Sequence, residues 1–183
     1  MDLLAAIKAR HSVRAYTDQK IEGETAAALR QAIAECNALS GLHIQLCLDE
    51  PQAFAGLLAH YGHIENCRNY IALAGQAGTS EKCGYYGEKL VLLAQQLGLN
   101  SCWVAISYSK TKVPCILAKG EKVRLVIALG YGAEPGVEHS SKAMKQLCQV
   151  EGEMPEWFKK GMEAAMLAPT AMNQQKFQLI LHH

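Results

Sequence analysis

The spacing of apolar and polar positions predicts helices and strands in alternation along the chain. Apolar residues recur at helical spacing in four stretches, which predicts helices over residues 2–8, 24–36, 85–97 and 156–167. Alternating or continuous apolar runs predict strands over 43–48, 69–74, 123–130 and 176–181, and a short extended piece over 101–106. Brief helices are expected at 51–60 and 112–117, a loop at 75–84 and a flexible link at 133–142. In the first helix, Leu3, Leu4 and Ile7 share one face.

Two segments of the chain resemble each other. Residues 29–48 and 162–181 align without a gap, and both read as helix, polar turn and strand. The apolar strands at 69–75 and 125–132 are also alike. This pattern predicts one domain over residues 1–183 with an internal two-fold repeat, its halves roughly 1–80 and 81–183. A duplicated chain of this kind has within itself the symmetry of a dimer.

Composition narrows the functional classes. Half of the residues are hydrophobic and the formal net charge is +1, without a basic block, which argues against nucleic acid as the main partner. No apolar run reaches the length of roughly 18–20 residues that crosses a bilayer. The cysteines number seven and none has C-x-x-C spacing, so reduced and mostly buried thiols in a cytoplasmic protein are expected.

The segment Arg10-His11-Ser12-Val13-Arg14 is the first candidate for chemistry. In an extended chain alternate side chains share a face, so Arg10, Ser12 and Arg14 would point the same way and suit a phosphate monoester. His11 and Val13 would face the other side. From spacing alone, a solvated basic patch after a helix is the commoner explanation.

Two further stretches contain candidates. The run A-P-T-A-M-N-Q-Q at 168–175 has small residues that would let a flat ring approach the backbone. Asn173 and Gln175 could then form hydrogen bonds with the edge of that ring. An ordinary helix-to-strand connection would have the same sequence pattern. The stretch 84–105 contains a helix that is core packing in any fold, followed by Trp103, a core residue or a wall for ring stacking.

Together these three stretches resemble the FMN-dependent nitroreductase superfamily, and within it the short, duplicated type. The segment R-H-S-V-R at 10–14 matches the family's R-x-S-x-R phosphate motif. Residues 87–104 match the family's helix and loop of the type G-E-x-L-x-L-A-A-x-x-L-G-L-x-T-C-W-V. The run A-P-T-A-M-N-Q-Q at 168–175 resembles the family's A-P-S-A-x-N-x-Q-P motif. The resemblance covers nearly the whole chain. It implies an α+β fold with a mostly antiparallel central sheet flanked by helices.

The resemblance also implies a cofactor and a set of residues that hold it. FMN would be bound by the following residues: Arg10, Ser12 and Arg14 at the phosphate and ribityl chain, His11 through its backbone, Lys142 at the phosphate, Pro169, Thr170, Ala171 and Asn173 along the ring, and the backbone of Trp103, Val104 and Ala105 near flavin N5. Hydride would pass from NADH or NADPH to the flavin and then, in ping-pong order, to a nitro compound, quinone or similar small acceptor. No protein residue is expected to be the catalytic nucleophile, and Arg68 and Lys82 are candidates for the flavin N1 and O2 edge.

The chain departs from the family pattern at two places. The A-P-S-A motif usually follows the second helix, where this chain has E-C-N-A-L-S-G at 35–41, and Lys176 replaces the usual proline. Two alternatives are therefore kept: a flavin-binding protein without turnover, such as a sensor, and a relative that has lost the flavin. The oligomer is expected to be a monomer with internal pseudo-dimer symmetry or a homodimer.

Other chemistries have little support in the sequence. His60, His63 and Cys67 have some metal-ligand character, but without a second pair a structural role is expected. No G-x-G-x-x-G follows a strand, and no G-x-S-x-G nucleophile elbow occurs.

Overall fold

Helices and strands follow one another much as the apolar pattern predicts. The structure, a computed structural model, describes residues 1–182, without the side chain of Leu58. Its helices are α1 (Leu3–Ala9), α2 (Gly23–Ser40), α3 (Leu57–Tyr61), α4 (Ser80–Gln96) and α5 (Glu156–Met166). Its strands are β1 (Gln45–Cys47), β2 (Asn69–Gly75), β3 (Asn100–Val104), β4 (Lys122–Gly130), β5 (Cys148–Val150) and β6 (Leu179–Leu181). The chain divides into two compact units, unit 1 (Met1–Gly136) and unit 2 (Val137–His183).

Unit 1 is built on a four-stranded sheet. The strand order is β1-β2-β4-β3 and every neighbouring pair is antiparallel. The long strands β2 and β4 are central, with Ile71 opposite Ile127. Both faces of these strands are buried, which explains why their sequences are almost continuously apolar instead of alternating.

The two faces of this sheet contribute to two hydrophobic cores. Ile71, Leu73, Ile127 and Leu129 face α2 and α4, and together they form the first core. The alternate residues of the strands, with Tyr70 among them, pack in a second core with residues 13–16 and 108 and with the segment 53–67, which contains α3. Successive side chains of a strand point to opposite faces, so one short sheet supplies both cores.

The helices of unit 1 have identifiable ends. The Asp2 side chain caps α1 by accepting from the Ala5 N–H at 2.8 Å. α2 ends where Gly41 adopts a left-handed conformation (φ +70°). The exposure of Leu3 (54%) and Leu4 (68%) shows that α1 does not bury the predicted apolar face, because only Ala6 of this helix is buried.

Unit 2 has its own small core. A parallel pair of strands, β5 and β6, and helix α5 enclose Leu147, Phe158 and Met162. Strand β5 has only three residues, and none of them is buried, so it lacks a periodic signal that a sequence pattern could reveal. The sequence analysis accordingly missed it.

Several predicted boundaries are wrong, for tertiary reasons. The loop expected at 75–84 is half helix, because α4 begins at Ser80. In this first part of α4, Cys83 is buried and Lys82 donates to the Ser40 carbonyl at 2.7 Å. These contacts outweigh the weak helix propensity of Gly84. α2 continues to Ser40, beyond residue 36. Residues 113–117 are not helical; only Lys110–Lys112 forms a short 3-10 turn.

The α+β class, with a mostly antiparallel sheet flanked by helices, is confirmed. The internal repeat and the halves at 1–80 and 81–183 stay predictions. The helices of the two aligned segments end at different places. α5 ends at Met166, whereas α2 continues to Ser40, beyond Ile33, the residue aligned with Met166. No helix within residues 1–182 is both long and apolar enough to cross a membrane.

Candidate functional site

The segment at 10–14 is extended and lies along the edge strand β3. Ser12 forms a parallel bridge with Ser101, and the Val13 N–H donates to the Ser101 carbonyl at 3.0 Å. Val13 is fully buried in the second core, and the Arg14 carbonyl accepts from the Glu65 N–H at 2.8 Å. Because the backbone is held on both sides, the positions of the flanking polar side chains are well defined.

Three of the predicted phosphate-binding side chains lie near one thiol. Burial raises the pKa of Cys102 in β3, while Arg14, a hydrogen bond with Ser12 and the charge of Arg10 act in the opposite direction. Arg14 is exposed and Ser12 is half-buried. Arg10, Ser12 and Arg14 therefore all act on Cys102, and the phosphate contacts expected of them stay predictions.

Arg10 is the buried member of this group. Its side chain is 4% exposed, and its Nε lies 3.8 Å from Oε1 of Glu88 on α4. Glu88 also accepts from the indole N–H of Trp103 at 3.0 Å. Burial lowers the pKa of Arg10 and raises that of Glu88, and the attraction between the two charges opposes both shifts. The sequence analysis missed Glu88, whose signal is an acidic residue between buried positions of an apolar helix.

Trp103 lies on the helix-facing side of β3, opposite Ile127. A Cβ at Gly87 would come within 2.4 Å of its Cη2 atom, so the ring packs directly on the α4 backbone. The side chain therefore has the core role that the sequence left open. The backbone of Val104 is paired with β4, and Ala105 is exposed just after the strand.

Gly136 packs over the same segment. Its φ of +74° favours glycine, and a Cβ there would lie 2.9 Å from the Cβ of His11 and 3.3 Å from the Ser12 carbonyl oxygen. The chain at Gly136 thus passes close to residues 11–13.

The remaining predicted residues belong to unit 2 and are held together by Gln175. Its buried amide accepts from the Lys142 N–H at 2.9 Å and donates to the Ser140 carbonyl at 2.9 Å and to Asn173 Oδ1 at 3.0 Å. The Gln175 N–H in turn donates to Thr170 Oγ1 at 3.0 Å. Pro169 and Thr170 are half-buried, whereas Ala171, Asn173 and Lys142 are exposed. The sequence analysis named Gln175 only as a possible ring partner, and its structural role depends on contacts distant in sequence.

The two cations considered for the flavin N1 and O2 edge have other partners. Arg68 lies 3.3 Å from Asp49, and Lys82 donates to the Ser40 carbonyl. A pocket beside Arg68, lined by residues 17–22, 48–49 and 68–69, measures about 100 Å³, well below the roughly 300 Å³ of a small cofactor site. Within residues 1–182, no three His, Cys, Asp or Glu side chains are grouped closely enough to hold a metal ion, so His60, His63 and Cys67 do not form such a site.

The comparisons with known proteins agree on one family and one fold. A family model described as "Putative TM nitroreductase" matches residues 2–183. A "putative nitroreductase" structure from Thermotoga maritima is 19% identical, covers 100% of this chain and 72% of its own, and has a TM-score of 0.67. One from Desulfovibrio desulfuricans, solved in complex with FMN, is 19% identical, with coverage of 85% and 98% and a TM-score of 0.58. One from Exiguobacterium sibiricum, also in complex with FMN, is 15% identical, with coverage of 80% and 95% and a TM-score of 0.61. No curated protein sequence matches the chain.

Proposed function

This chain belongs to the nitroreductase family whose model matches residues 2–183, and from that membership we propose that it is an FMN-dependent oxidoreductase. The electron donor is NADH or NADPH, and the acceptors are nitro compounds, quinones or similar small molecules. A bound flavin supplies the hydride chemistry, taking electrons from the nicotinamide and passing them to the acceptor. The observation that carries the proposal is the grouping of Arg10, Ser12 and Arg14 beside β3.

The donor set of this group fits a phosphate monoester. Arg14 is an exposed guanidinium on a fixed backbone, and Ser12 offers a hydroxyl two residues before it. Both are donors to anionic oxygen, and Arg forms charge-assisted bonds with phosphate. Arg10 adds positive charge from a buried position, where Glu88 orients it.

The other predicted contacts are part of the same proposal. The backbone around Trp103, Val104 and Ala105 is proposed for the N5 edge of the ring, and His11 for a backbone contact. The residues of unit 2 enter through the family resemblance, at the following positions: Lys142, Pro169, Thr170, Ala171 and Asn173. The oligomer in this proposal is a monomer or a homodimer, which light scattering distinguishes.

The first experiment is an FMN titration of the wild type and of Arg14→Ala. A charge-assisted hydrogen bond contributes about 1.5–3 kcal/mol, so the variant should bind FMN about 10- to 150-fold more weakly. Arg14 is exposed, so the fold should survive the change. The matched control is Arg30→Ala, an exposed arginine on α2. Unchanged affinity in Arg14→Ala would contradict the phosphate assignment.

A second experiment separates turnover from binding. The FMN-loaded protein is mixed anaerobically with NADH and then with NADPH, and the flavin absorption band is followed. Bleaching supports the reductase and identifies the donor. A bound flavin that neither donor reduces would favour a flavin sensor, and a wild type that retains no flavin would overturn the proposal. The double change Arg10→Ala, Arg14→Ala should abolish flavin retention in a folded protein.

A further inference from the structure

Two cysteines that are far apart in sequence meet at the edge of the unit 1 sheet. Cys47 is the last residue of the edge strand β1, and Cys115 lies in the connection before β4. Both are free thiols, and their side chains interact with each other directly. Cys47 belongs to the second core, and Cys115 packs against the same core.

An independent contact keeps the two segments adjacent. The Gln45 side chain donates from Nε2 to the Ile116 carbonyl at 2.8 Å and accepts from the Ile116 N–H at Oε1 at 3.0 Å. Gln45 is two residues before Cys47, so their side chains are on the same side of β1. Ile116 directly follows Cys115. The Gln45 side-chain amide therefore holds the segment of Cys115 and Ile116 beside β1, where Cys47 lies.

The environment of the pair favours one thiol as the nucleophile. The hydrogen bond with Cys115 holds the pKa of Cys47 below its ordinary value, although burial opposes it, and the Tyr70 hydroxyl, which donates to Glu50 Oε2 at 2.6 Å, also influences Cys47. The hydrogen bond to Cys47 and burial raise the pKa of Cys115. Thiolates, not thiols, react with oxidants, so these opposite pKa shifts favour Cys47 as the attacking sulfur. Cys115 is only half-buried, so solvent reaches the thiol pair through this residue.

We propose that Cys47 and Cys115 form a redox-active dithiol that closes to an intramolecular disulfide when the protein meets a hydroperoxide. The Cys47 sulfur attacks the peroxide, the O–O bond breaks, and Cys47 becomes a sulfenic acid with release of water or an alcohol. The Cys115 sulfur then attacks the Cys47 sulfur, the S–O bond breaks and the oxygen leaves as water. Two electrons have passed from the two thiols to the peroxide, and a dithiol reductant reverses the reaction.

The other cysteines near the sheet provide a contrast. Cys67 donates its S–H to the Asn69 carbonyl at 3.3 Å and Cys102 donates to the Trp103 carbonyl at 3.7 Å. Both are buried, and burial raises the pKa of Cys67 to about 12. These two thiols are near enough to influence each other electrostatically, but each is protonated and engaged with backbone. They should stay reduced under conditions that link Cys47 to Cys115.

The test is peptide mapping of the native protein after treatment with hydrogen peroxide and alkylation of the remaining thiols. Two of the seven thiols should be lost, and dithiothreitol should restore them. Trypsin releases Cys115 in the peptide 113–119, which should appear linked to the peptide 31–68 through Cys47, the site being assigned by fragmentation. The experiment needs no flavin, so its result is independent of the proposed function.

Variants make the outcome specific. Cys47→Ser and Cys115→Ser should each lack the linked peptide, whereas Cys148→Ser, which removes the other half-buried thiol, should retain it. The proposal is overturned if the peptide 113–119 is still fully alkylated after oxidation. It is equally overturned if Cys115 is oxidised only to sulfinic acid, or if Cys67 and Cys102 form the link instead. The wild-type measurement decides the question even if a serine variant fails to fold.

Discussion

Replacing Gly87 by alanine should disturb the contact between α4 and β3. The added Cβ would lie 2.4 Å from Cη2 of Trp103 and 2.9 Å from Cδ1 of Leu73, both closer than side-chain atoms approach one another. The indole has little freedom to retreat, because its N–H is bonded to Glu88 and its backbone is paired with β4. Either the ring or the helix must therefore shift.

The size of the effect follows from two opposing contributions. Gly→Ala in a helix interior stabilises by about 1 kcal/mol, whereas inserting a methyl group into a packed core costs about 1–3 kcal/mol. Gly84→Ala on the same helix is the matched control, since a Cβ there has nothing within 4 Å and the position is exposed. Gly84→Ala should gain about 1 kcal/mol. Gly87→Ala should therefore be less stable than Gly84→Ala by about 1–3 kcal/mol.

Thermal unfolding followed by circular dichroism measures this difference. For a chain of this length 1 kcal/mol shifts the Tm by about 2–4 °C, so the two variants should differ by roughly 2–12 °C, with the wild type below Gly84→Ala. Tryptophan fluorescence of Gly87→Ala should report a changed environment for Trp103. Equal Tm values for the two alanine variants would refute the argument, because the indole would then yield at no cost.

Four further substitutions test three other parts of the structure. The buried Tyr108 hydroxyl has no hydrogen-bond partner among the described residues, so Tyr108→Phe should be neutral or stabilise the protein by up to about 2 kcal/mol in urea denaturation. Tyr16→Phe removes a 2.7 Å hydrogen bond to the Val13 carbonyl and should cost about 1 kcal/mol. A Tyr108→Phe variant less stable than Tyr16→Phe would contradict this reasoning. The pKa of Glu121 lies below its ordinary value because the carboxylate accepts from the Ala118 N–H and pairs with His43, so its stabilisation is present at neutral pH and is lost as the pH falls through the folded-state pKa. The stability gap between wild type and Glu121→Gln should therefore hold from pH 7 down to about 4.3, the ordinary pKa of Glu, and narrow at lower pH; a gap that stays constant in acid would exclude this origin. Gln175→Ala removes three hydrogen bonds inside unit 2 and should destabilise it by about 2–4 kcal/mol, seen as faster tryptic cleavage after Lys142; an unchanged rate would show that the amide is dispensable.

Local features of the fold could be predicted where residues close in sequence decide them. β2 and β4 were predicted almost to their ends because burial on both faces requires continuous apolar runs. Helix α5 was predicted to within one residue from its periodicity. The extended segment at 10–14 follows from its residue types, and its three polar side chains all act on Cys102.

Features that depend on distant residues could not be predicted in this way. The start of α4 at Ser80 depends on a lysine reaching the end of another helix. The exposure of Leu3 and Leu4 depends on which elements cover α1, although their spacing predicts a buried face. Strand β5 exists because β6 pairs with it.

For the candidate site, the donors at 10–14, the motif at 87–104 and the small residues at 168–175 could be picked out from the sequence as candidates, and their contacts with FMN stay predictions. Their partners depend on the tertiary structure. It placed Glu88 between Arg10 and Trp103, gave Gln175 its structural role, and brought Cys47 to Cys115. The physical reason is that alternation and helical periodicity depend on neighbouring residues, whereas a buried ion pair or a thiol pair depends on which surfaces of the folded chain pack together.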